Sequence, residues 1–468
     1  MTGKRIIGLL AEAVLTMLAA VATLFCALVI DPQPGSAVLA VVLCMSLSRS
    51  QLDRDIRGRL EALIVLPLVG LAASGIGFLL IDARWLGAAV FVGGMCLSIW
   101  LRRFGSAARR AGSLIALPFV AILVTPHIPP AGHTVVPAFL IPVIVAVLAL
   151  VWVTVFHHVG RWVRMLPPAS EHEPAAPSSR AFILSPTTTP APSSLRPIAS
   201  TRMALQMATA LAASFTLGYL VFPEHWAWIV LTAFIVGSGN RGRLDVAYKS
   251  VLRVAGAAAG TIVALLFTLR LGGHDTATVV LILVAVFLGI WLRPLGYAWW
   301  ALFVTIALAL LQGYAGTSAP LILWPRLEEI VIGAVIGILS AWFVLPVRSL
   351  AVLRRRLADA LAALSRALDP AIADRTPDDF VDAVALVEQV APAFRALRRV
   401  SRTAVRPADW ADALSDATAP AVTIIDRADT PGSSRRAIGN ARRSLREPSA
   451  LTDALHAMRD QLRTDASQ

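Results

Sequence analysis

The chain has 468 residues, of which 57% are hydrophobic and only 15% are charged, and its mean hydropathy is +0.71. These values lie outside the range of soluble globular proteins and indicate a membrane protein that crosses the bilayer several times. The formal net charge is +13, and nearly all of the basic residues are arginines. Because positive residues collect in the cytoplasmic loops of membrane proteins, we interpret this charge as a topology signal and expect no nucleic-acid partner.

The sequence contains none of the common motifs for cofactors, metals or catalysis. Cys26, Cys44 and Cys96 fall in apolar stretches without a C-x-x-C or Cys/His cluster, so we expect neither a disulfide nor a metal site. Walker A, H-E-x-x-H and nucleophile-elbow sequences are also absent. We therefore expect no cofactor, no catalytic residues and no enzymatic activity.

Apolar stretches suited to transmembrane helices recur along the chain. The first group covers residues 8–30, 35–48, 62–81, 85–101, 112–126 and 134–156, and the second covers 203–222, 226–239, 251–269, 277–292, 297–313 and 327–346. This pattern predicts an all-α membrane protein with about twelve transmembrane helices in two groups of six. The first stretch lacks a convincing cleavage site, so we expect an uncleaved span rather than a signal peptide.

The loops between these stretches alternate in charge. Basic residues cluster in one set of loops, within 4–5, 49–59, 102–110, 161–164, 241–253 and 348–356, whereas the other loops are short and nearly uncharged. The positive-inside rule places the basic set in the cytoplasm. Both termini are then expected to be cytoplasmic, and the lipid bilayer surrounds the spans between them.

The two groups of spans resemble each other. The sequence I-W-L-R-x-x-G at 99–105 recurs at 290–296, and R-x-x-L-D at 49–53 recurs at 241–245. These matches predict a tandem repeat whose halves share one orientation and are related by an axis along the membrane normal. Chance similarity between arginine-rich loops is the alternative.

Composition divides the chain into four predicted domains. Residues 1–165 and 201–346 are the membrane halves, and residues 166–200, rich in Pro, Ser, Thr and Ala, are predicted to be an extended cytoplasmic linker. Residues 347–468 mix Arg and Asp with Ala and Leu at helical spacing, which predicts a helical cytoplasmic tail. We expect breaks near Pro370 and Pro407 and poor order over residues 429–468.

A helix face in the second half carries charge and glycine together. Asp245, Lys249, Arg253, Gly256 and Gly260 are spaced so that they share one side of a helix. The two glycines predict a seam where another helix approaches closely. Residues 237–242 match G-x-G-x-x-G, but a dinucleotide-binding loop must follow a strand, and a tryptophan-rich span precedes this one, so we expect a tight turn.

The last predicted span begins with ionisable residues, which are costly in a bilayer and so are functional candidates. Arg326, Glu329, Gly333 and Gly337 share one helix face, whereas Glu328 lies about 100° round the helix. We interpret Arg326 and Glu329 as an interior-facing ion pair. The alternative is that Arg326 snorkels to the membrane interface.

Other polar and aromatic residues give weaker signals. Gln206 lies within a span, where a contact between helices and a transport role both remain open, and His225 is predicted to be an ordinary loop residue. Several tryptophans suit an interfacial belt, with one or two available to stack on an aromatic ligand. They are Trp226, Trp228, Trp299, Trp300 and Trp324.

The order of these features is similar to that of a known family. A helix ending near Pro223, W-A-W at 226–228, L-T-A at 231–233, the glycine-rich turn and the seam from Arg253 follow one another. This order resembles the fusaric acid resistance-like, or aromatic acid exporter, family over residues 202–346. The resemblance implies gradient-driven export of small aromatic carboxylic acids across a bacterial inner membrane. Some members also use a periplasmic adaptor and an outer-membrane channel as partners, and the short outer loops here show neither.

Export of a small anionic substrate requires a positive binding patch, and coupling to a gradient requires a titratable carboxylate. We expect the patch to contain Arg241, Arg243, Lys249, Arg253, Arg293 and Arg326. The coupling candidates are Glu329, Glu328, Asp245 and Glu61. In the repeat, Glu61 occupies the place that Arg253 has in the second half, and we predict that these two residues pair across the symmetry axis.

Two other functions fit the same sequence. A gated organic-anion channel would use the positive patch without coupling, and its current would reverse at the Nernst potential of the anion whatever the pH gradient. A membrane-anchored scaffold acting through its tail would lose its phenotype on deletion of residues 348–468, whereas a transporter would keep some flux.

Overall fold

The computed structural model describes residues 3–51, 67–68, 70–72, 75–104, 108, 112, 115, 119, 123, 137, 140–163, 199–223, 225–268, 276–314, 319–372, 375–401, 405–427, 429 and 431–468. Over these residues the chain consists of helices and connections, without a strand. The predicted all-α class is confirmed for this part of the chain. The described residues form two compact units, the first from those up to residue 163 with 199–240 and 249–345, the second from those in 241–248 and 346–468.

The helices of the first unit follow the apolar stretches of the sequence. They are α1 (Gly3–Ile30), α2 (Pro34–Gln51), α3 (Arg84–Trp100), α4 (Ile141–Trp162), α5 (Ala199–Val221), α6 (Trp226–Gly237), α7 (Arg243–Thr268), α8 (Thr276–Leu292), α9 (Tyr297–Tyr314) and α10 (Ala319–Phe343). The first two turns of α7 belong to the second unit. A short 3₁₀ turn over Arg293–Leu295 joins α8 to α9.

Among the described residues, five helices are long and apolar enough to cross a membrane. Their spans are Gly8–Ile30, Ile141–Trp162, Ser200–Val221, Arg243–Phe267 and Thr276–Leu295. Shorter apolar helices cover Gly35–Met45, Gly70–Asp82, Arg84–Trp100, Trp226–Gly237 and Tyr297–Leu311. The chain is therefore a multi-pass membrane protein. Most of the span expected at 112–126 lies outside the described residues, and the count of twelve stays a prediction.

Helix α6 differs from a simple membrane span. Its 12 residues make it about 18 Å long, which is shorter than the hydrocarbon layer. Side chains from all round the helix are buried, so other parts of the protein surround it rather than lipid. The buried residues of α6 are Trp228, Ile229, Val230, Leu231, Thr232, Ala233 and Val236.

Glycines let α10 pack directly on α6. A Cβ atom at Gly333 would lie 2.5 Å from the backbone oxygen of Ile229, and one at Gly337 would lie 3.3 Å from a methyl group of Val236. This close packing confirms the glycine seam that the sequence predicts for the last span. Residue numbers rise together along the contact, so α6 and α10 run in the same direction.

A second glycine seam joins α7 to α9. A Cβ atom at Gly256 would lie 2.8 Å from the Cβ of Ala301, and one at Gly260 would lie 2.7 Å from the backbone oxygen of Leu302. These distances confirm the close approach predicted from the glycine spacing. Helices α7 and α9 also run in the same direction as each other.

The turn between α6 and α7 depends on glycine conformations. Gly239 has φ +60° and Gly242 has φ +124°, a region that residues with a Cβ rarely adopt. The G-x-G-x-x-G match therefore follows a helix and forms a tight turn, as the sequence indicates. Because the turn is short, α7 starts at the end of the unit where α6 stops.

The second unit has its own hydrophobic core. Its helices are α11 (Ser349–Ala367), α12 (Asp378–Glu388), α13 (Ala391–Val400), α14 (Pro407–Asp426), α15 (Gly432–Ser444) and α16 (Pro448–Ser467). Trp410 is fully buried in this core and donates a hydrogen bond from Nε1 to Thr452 Oγ1 at 2.9 Å. The prediction of poor order over residues 429–468 is wrong, because α15 and α16 bury apolar side chains such as Ile438 and Leu455.

Ion pairs connect α12, α13 and α14 at the surface of this unit. Arg395 donates to both carboxylate oxygens of Glu388 at 2.8 Å and to Asp412 Oδ1 at 2.7 Å. Burial acts to raise the pKa of the Asp412 carboxyl, but hydrogen bonds from Arg395 and Arg398 outweigh it and lower the pKa below its usual value. These charged groups fix the orientation of short helices that propensity alone would leave marginal.

We predict that Gly333→Ala destabilises the first unit. The added methyl group would overlap the backbone of α6, and overpacking of this kind costs about 1–3 kcal/mol. The melting temperature of the purified protein in detergent should fall. Gly93→Ala is the matched control, because its Cβ would meet nothing within 4 Å. Equal melting temperatures for both variants would contradict the packing described here.

Candidate functional site

Two ionisable side chains on α10 are buried in the first unit. Arg326 is 1% exposed and Glu329 is 0% exposed, one turn apart on the same face of the helix. Glu328, between them in sequence, is exposed. The Arg326 side chain thus lies inside the protein rather than extending to the interface. Arg326 and Glu329 lie within electrostatic range of each other.

The Arg326 guanidinium stacks on an aromatic ring. Its Cζ lies 4.0 Å from the centroid of Trp228, which is itself only 8% exposed. A cation–π contact shielded from water contributes roughly 2 kcal/mol or more. Trp228 therefore differs from a tryptophan at a membrane interface, because α6 carries this residue into the interior of the first unit.

Glu329 faces a histidine that precedes α6. His225 Nδ1 lies 3.8 Å from Glu329 Oε1, and the histidine side chain is 37% exposed. Neither oxygen of Glu329 accepts a hydrogen bond within the described ranges. His225 is thus more than an ordinary loop residue, since it places a titratable imidazole between the surface and a buried carboxylate.

Arg253 on α7 is the second deeply buried cation. Its side chain is 0% exposed, and it lies within electrostatic range of Arg326 and of the Tyr297 hydroxyl at the start of α9. Helices α6 and α10 run in the same direction, so Arg326, near the start of α10, lies towards the end of the unit where α6 begins. Helix α7 starts where α6 stops, so Arg253 enters the interior from the opposite end. We call Arg253, Arg326 and Glu329, with their neighbours Tyr297 and His225, the buried zone of the first unit. Its two arginines give it a strong positive charge.

The basic residues at the start of α7 lie elsewhere. Within the second unit, the Arg241 guanidinium donates to the Gln389 backbone oxygen at 2.9 Å. The Arg241 backbone N–H donates to Asp245 Oδ2 at 3.1 Å, while Arg243 is exposed. Arg241, Arg243 and Asp245 belong to the second unit, where Arg241 connects the turn before α7 to the end of α12.

The remaining predicted site residues divide between turn and helix end. Lys249 Nζ donates to the backbone oxygens of Ser238 and Gly239 at 3.4 and 3.3 Å, so it stabilises the turn. Arg293 is exposed, with its Cζ 5.5 Å from the ring of Trp300. Glu61 lies outside the described residues, and its predicted pairing with Arg253 stays a prediction.

Gln206 on α5 forms a contact between helices. Its side-chain nitrogen donates to the backbone oxygens of Val344 and Leu345 at 2.8 and 3.2 Å. Its oxygen accepts from Asn240 Nδ2 at 3.2 Å. Gln206 therefore satisfies carbonyl groups that the end of α10 leaves without helical partners.

Comparison with protein families supports the resemblance seen in the sequence. Residues 207–340 match the family model described as fusaric acid resistance protein-like. This segment is therefore similar to the fusaric acid resistance protein-like family. It extends from α5 into α10 and contains the whole buried zone, from His225 to Glu329. A comparison with curated proteins found no match.

Some features of the buried zone were not predicted from the sequence. Tyr297 carries no motif, and the partnership of His225 with Glu329 depends on which helix packs against α10. The glycine seam on α10 was the available signal, because it shows which face of the helix meets a neighbour. It does not show that the neighbour is α6.

We predict that Trp228→Leu destabilises the first unit, because the buried Arg326 loses its aromatic contact. The loss should be about 2 kcal/mol, and Trp228→Phe should lose less. Thermal denaturation of the purified full-length protein measures it. Trp299→Leu serves as control, since Trp299 is 50% exposed. A melting temperature for Trp228→Leu equal to that of the control would contradict a stabilising role for this contact.

Proposed function

We propose that the protein exports small aromatic carboxylic acids from the cytoplasm, driven by an ion or proton gradient. The observation that carries this proposal is a buried zone in which Arg326 lies within electrostatic range of both Arg253 and the carboxylate of Glu329. The similarity of residues 207–340 to the fusaric acid resistance protein-like family indicates a membrane exporter. It supports transport out of the cytoplasm.

The two buried arginines suit an anionic substrate. A cation held away from water attracts anions much more strongly than one at the surface, because the surrounding dielectric is low. Arg253 and Arg326 come from opposite ends of the unit, so an anion leaving one of them can be attracted by the other. The exposed Arg293 adds positive charge at the junction of α8 and α9.

Glu329 and His225 suit gradient coupling. Glu329 provides a carboxylate that can carry a proton inside the protein, and His225 provides a partly exposed imidazole 3.8 Å away that can pass a proton to it. A proton on Glu329 removes its attraction for Arg326. Proton binding and anion binding are thereby linked through one charge pair.

We further propose that about twelve spans form two parallel six-helix halves in the inner membrane, with both termini cytoplasmic. Packing within the described residues supports a repeat. Helices α1, α2 and α4 pack together, as do α5, α6 and α10, which hold the same places in the two predicted halves. The fourth predicted span of each half, α3 or α8, contacts the first span of the other half.

Glu329→Gln tests the proposed coupling. Cells that express the wild-type protein should accumulate less radiolabelled p-hydroxybenzoate than cells without it. Glu329→Gln should abolish this gradient-driven efflux while the protein remains in the membrane, because the amide cannot carry a proton. Glu328→Gln is the matched control, since Glu328 is adjacent and exposed, and it should retain most of the efflux.

Different outcomes would overturn separate parts of the proposal. Equal, mild effects of the two substitutions would remove Glu329 from the coupling role. A flux that survives Glu329→Gln and follows only the electrochemical gradient of the anion would select a channel. No difference in accumulation across several aromatic acids would contradict export itself.

Topology can be tested with reporter fusions. Reporters joined after His158 and after Arg348 should both be cytoplasmic, and one joined after His133 should be periplasmic. These positions follow from the alternation of basic and uncharged loops in the sequence. A periplasmic reporter after His158 would break the six-plus-six arrangement.

A further inference from the structure

Helices α7 and α9 carry a group of buried hydrogen-bond donors. Side-chain atoms of Ser250, Arg253, Tyr297 and Trp300 are buried and have no hydrogen-bond partner within the described part of the chain. In Arg253 this holds for all of the guanidinium nitrogens, Nε, Nη1 and Nη2. Arginine and tryptophan side chains are donors only, so this group is rich in donors and poor in acceptors.

These donors lie close to one another. Arg253 and the Tyr297 hydroxyl are within electrostatic range, and the Tyr297 ring centroid lies 5.6 Å from that of Trp300. Ser250 precedes Arg253 by one helical turn and shares its face of α7. The glycine seam at Gly256, which follows Arg253 by one turn, brings the two helices together.

A buried group of this composition is unfavourable unless something accepts its hydrogen bonds. An unsatisfied buried donor costs about 1–3 kcal/mol, and an unpaired buried cation costs more. A carboxylate supplies two oxygens and a negative charge, which match a guanidinium and nearby hydroxyl and indole N–H groups. The rings of Tyr297 and Trp300 provide apolar surface for an aromatic body attached to that carboxylate.

We propose that Arg253, Tyr297 and Trp300 bind the carboxylate group of an aromatic acid, with Ser250 beside them. This proposal rests on the proposed export function and assigns substrate recognition to the α7–α9 pair. Of the two cations proposed to attract the anion, Arg326 is the one that Glu329 and His225, on α10 and before α6, link to proton binding. Recognition and coupling are thus carried by different pairs of helices.

Binding of benzoate to the purified full-length protein in detergent tests the site without any gradient. Isothermal titration calorimetry should detect benzoate binding and no binding of benzamide, its neutral isostere. Tyr297→Phe should weaken benzoate binding roughly tenfold or more, because one hydrogen bond to a charged group is lost. Tyr314→Phe is the matched control at the other end of α9, where the side chain is 39% exposed, and should bind as the wild type does.

Arg253→Met gives a second readout. It should abolish benzoate binding and raise the melting temperature, because it replaces a buried cation that has no hydrogen-bond partner in the described residues by an apolar side chain of similar length. If Arg253→Met instead lowers the melting temperature, its loss of binding could come from misfolding. The affinity of Tyr297→Phe, which removes only one oxygen atom, then decides whether the site binds benzoate.

The proposal is overturned if the wild type binds no benzoate, if benzamide binds as tightly, if chloride alone competes at the site, or if Tyr297→Phe keeps wild-type affinity. Failure of export is a separate result. If the purified protein binds benzoate in a Tyr297-dependent way but cells show no efflux, the binding site is supported and the export function is rejected. If cells show efflux but Tyr297→Phe binds benzoate as the wild type does, the export function is supported and the binding site is rejected.

Discussion

A cation inside a membrane protein must be shielded by protein groups, and Arg326 meets this constraint by stacking on Trp228. The contact requires α6 to lie inside the unit, because only a buried helix can present a tryptophan face away from water and lipid. The short length of α6 and its lack of an exposed apolar stripe follow from that position. Gly333 and Gly337 then let α10 come close enough to bring Glu329 to His225.

Depth separates the cations that donate to backbone oxygens from those that we propose to attract the substrate. Lys249 and Arg241 donate to backbone oxygens, and these bonds hold a glycine turn and a set of tail helices in place. Arg253 and Arg326 lie where water does not reach them, at 0% and 1% exposure. Residues with the same charge in one basic stretch of sequence therefore have different physical roles, which net charge alone does not distinguish.

Local patterns in the sequence predicted local structure well. Apolar runs located the helices of the first unit, and glycine spacing located both seams, because each depends on residues close together in the chain. The partners of those helix faces depend on tertiary packing, so the contacts of Trp228 and His225 were not predictable. Tyr297 was missed for the same reason.

The tail shows a different kind of error. Its last helix places Leu451, Leu455, Met458 and Leu462 on one buried face. Their spacing is a helical core signal, and it lies within the residues for which we expected poor order. Periodicity was the better guide here, because a helix needs only one apolar face to join a core.

The two glycine seams divide the membrane unit in a way that bears on its motions. Backbone atoms of α6 and α10 are in near contact, and so are those of α7 and α9, so neither pair can shear internally without a steric clash. Each pair behaves as a stiff block, with one buried arginine in each. Relative movement is left to the boundary between the blocks, where it changes the distance between Arg253 and Arg326 and with it the mutual repulsion of the two charges. An anion bound between them, as proposed above, would hold that boundary together by attracting both charges.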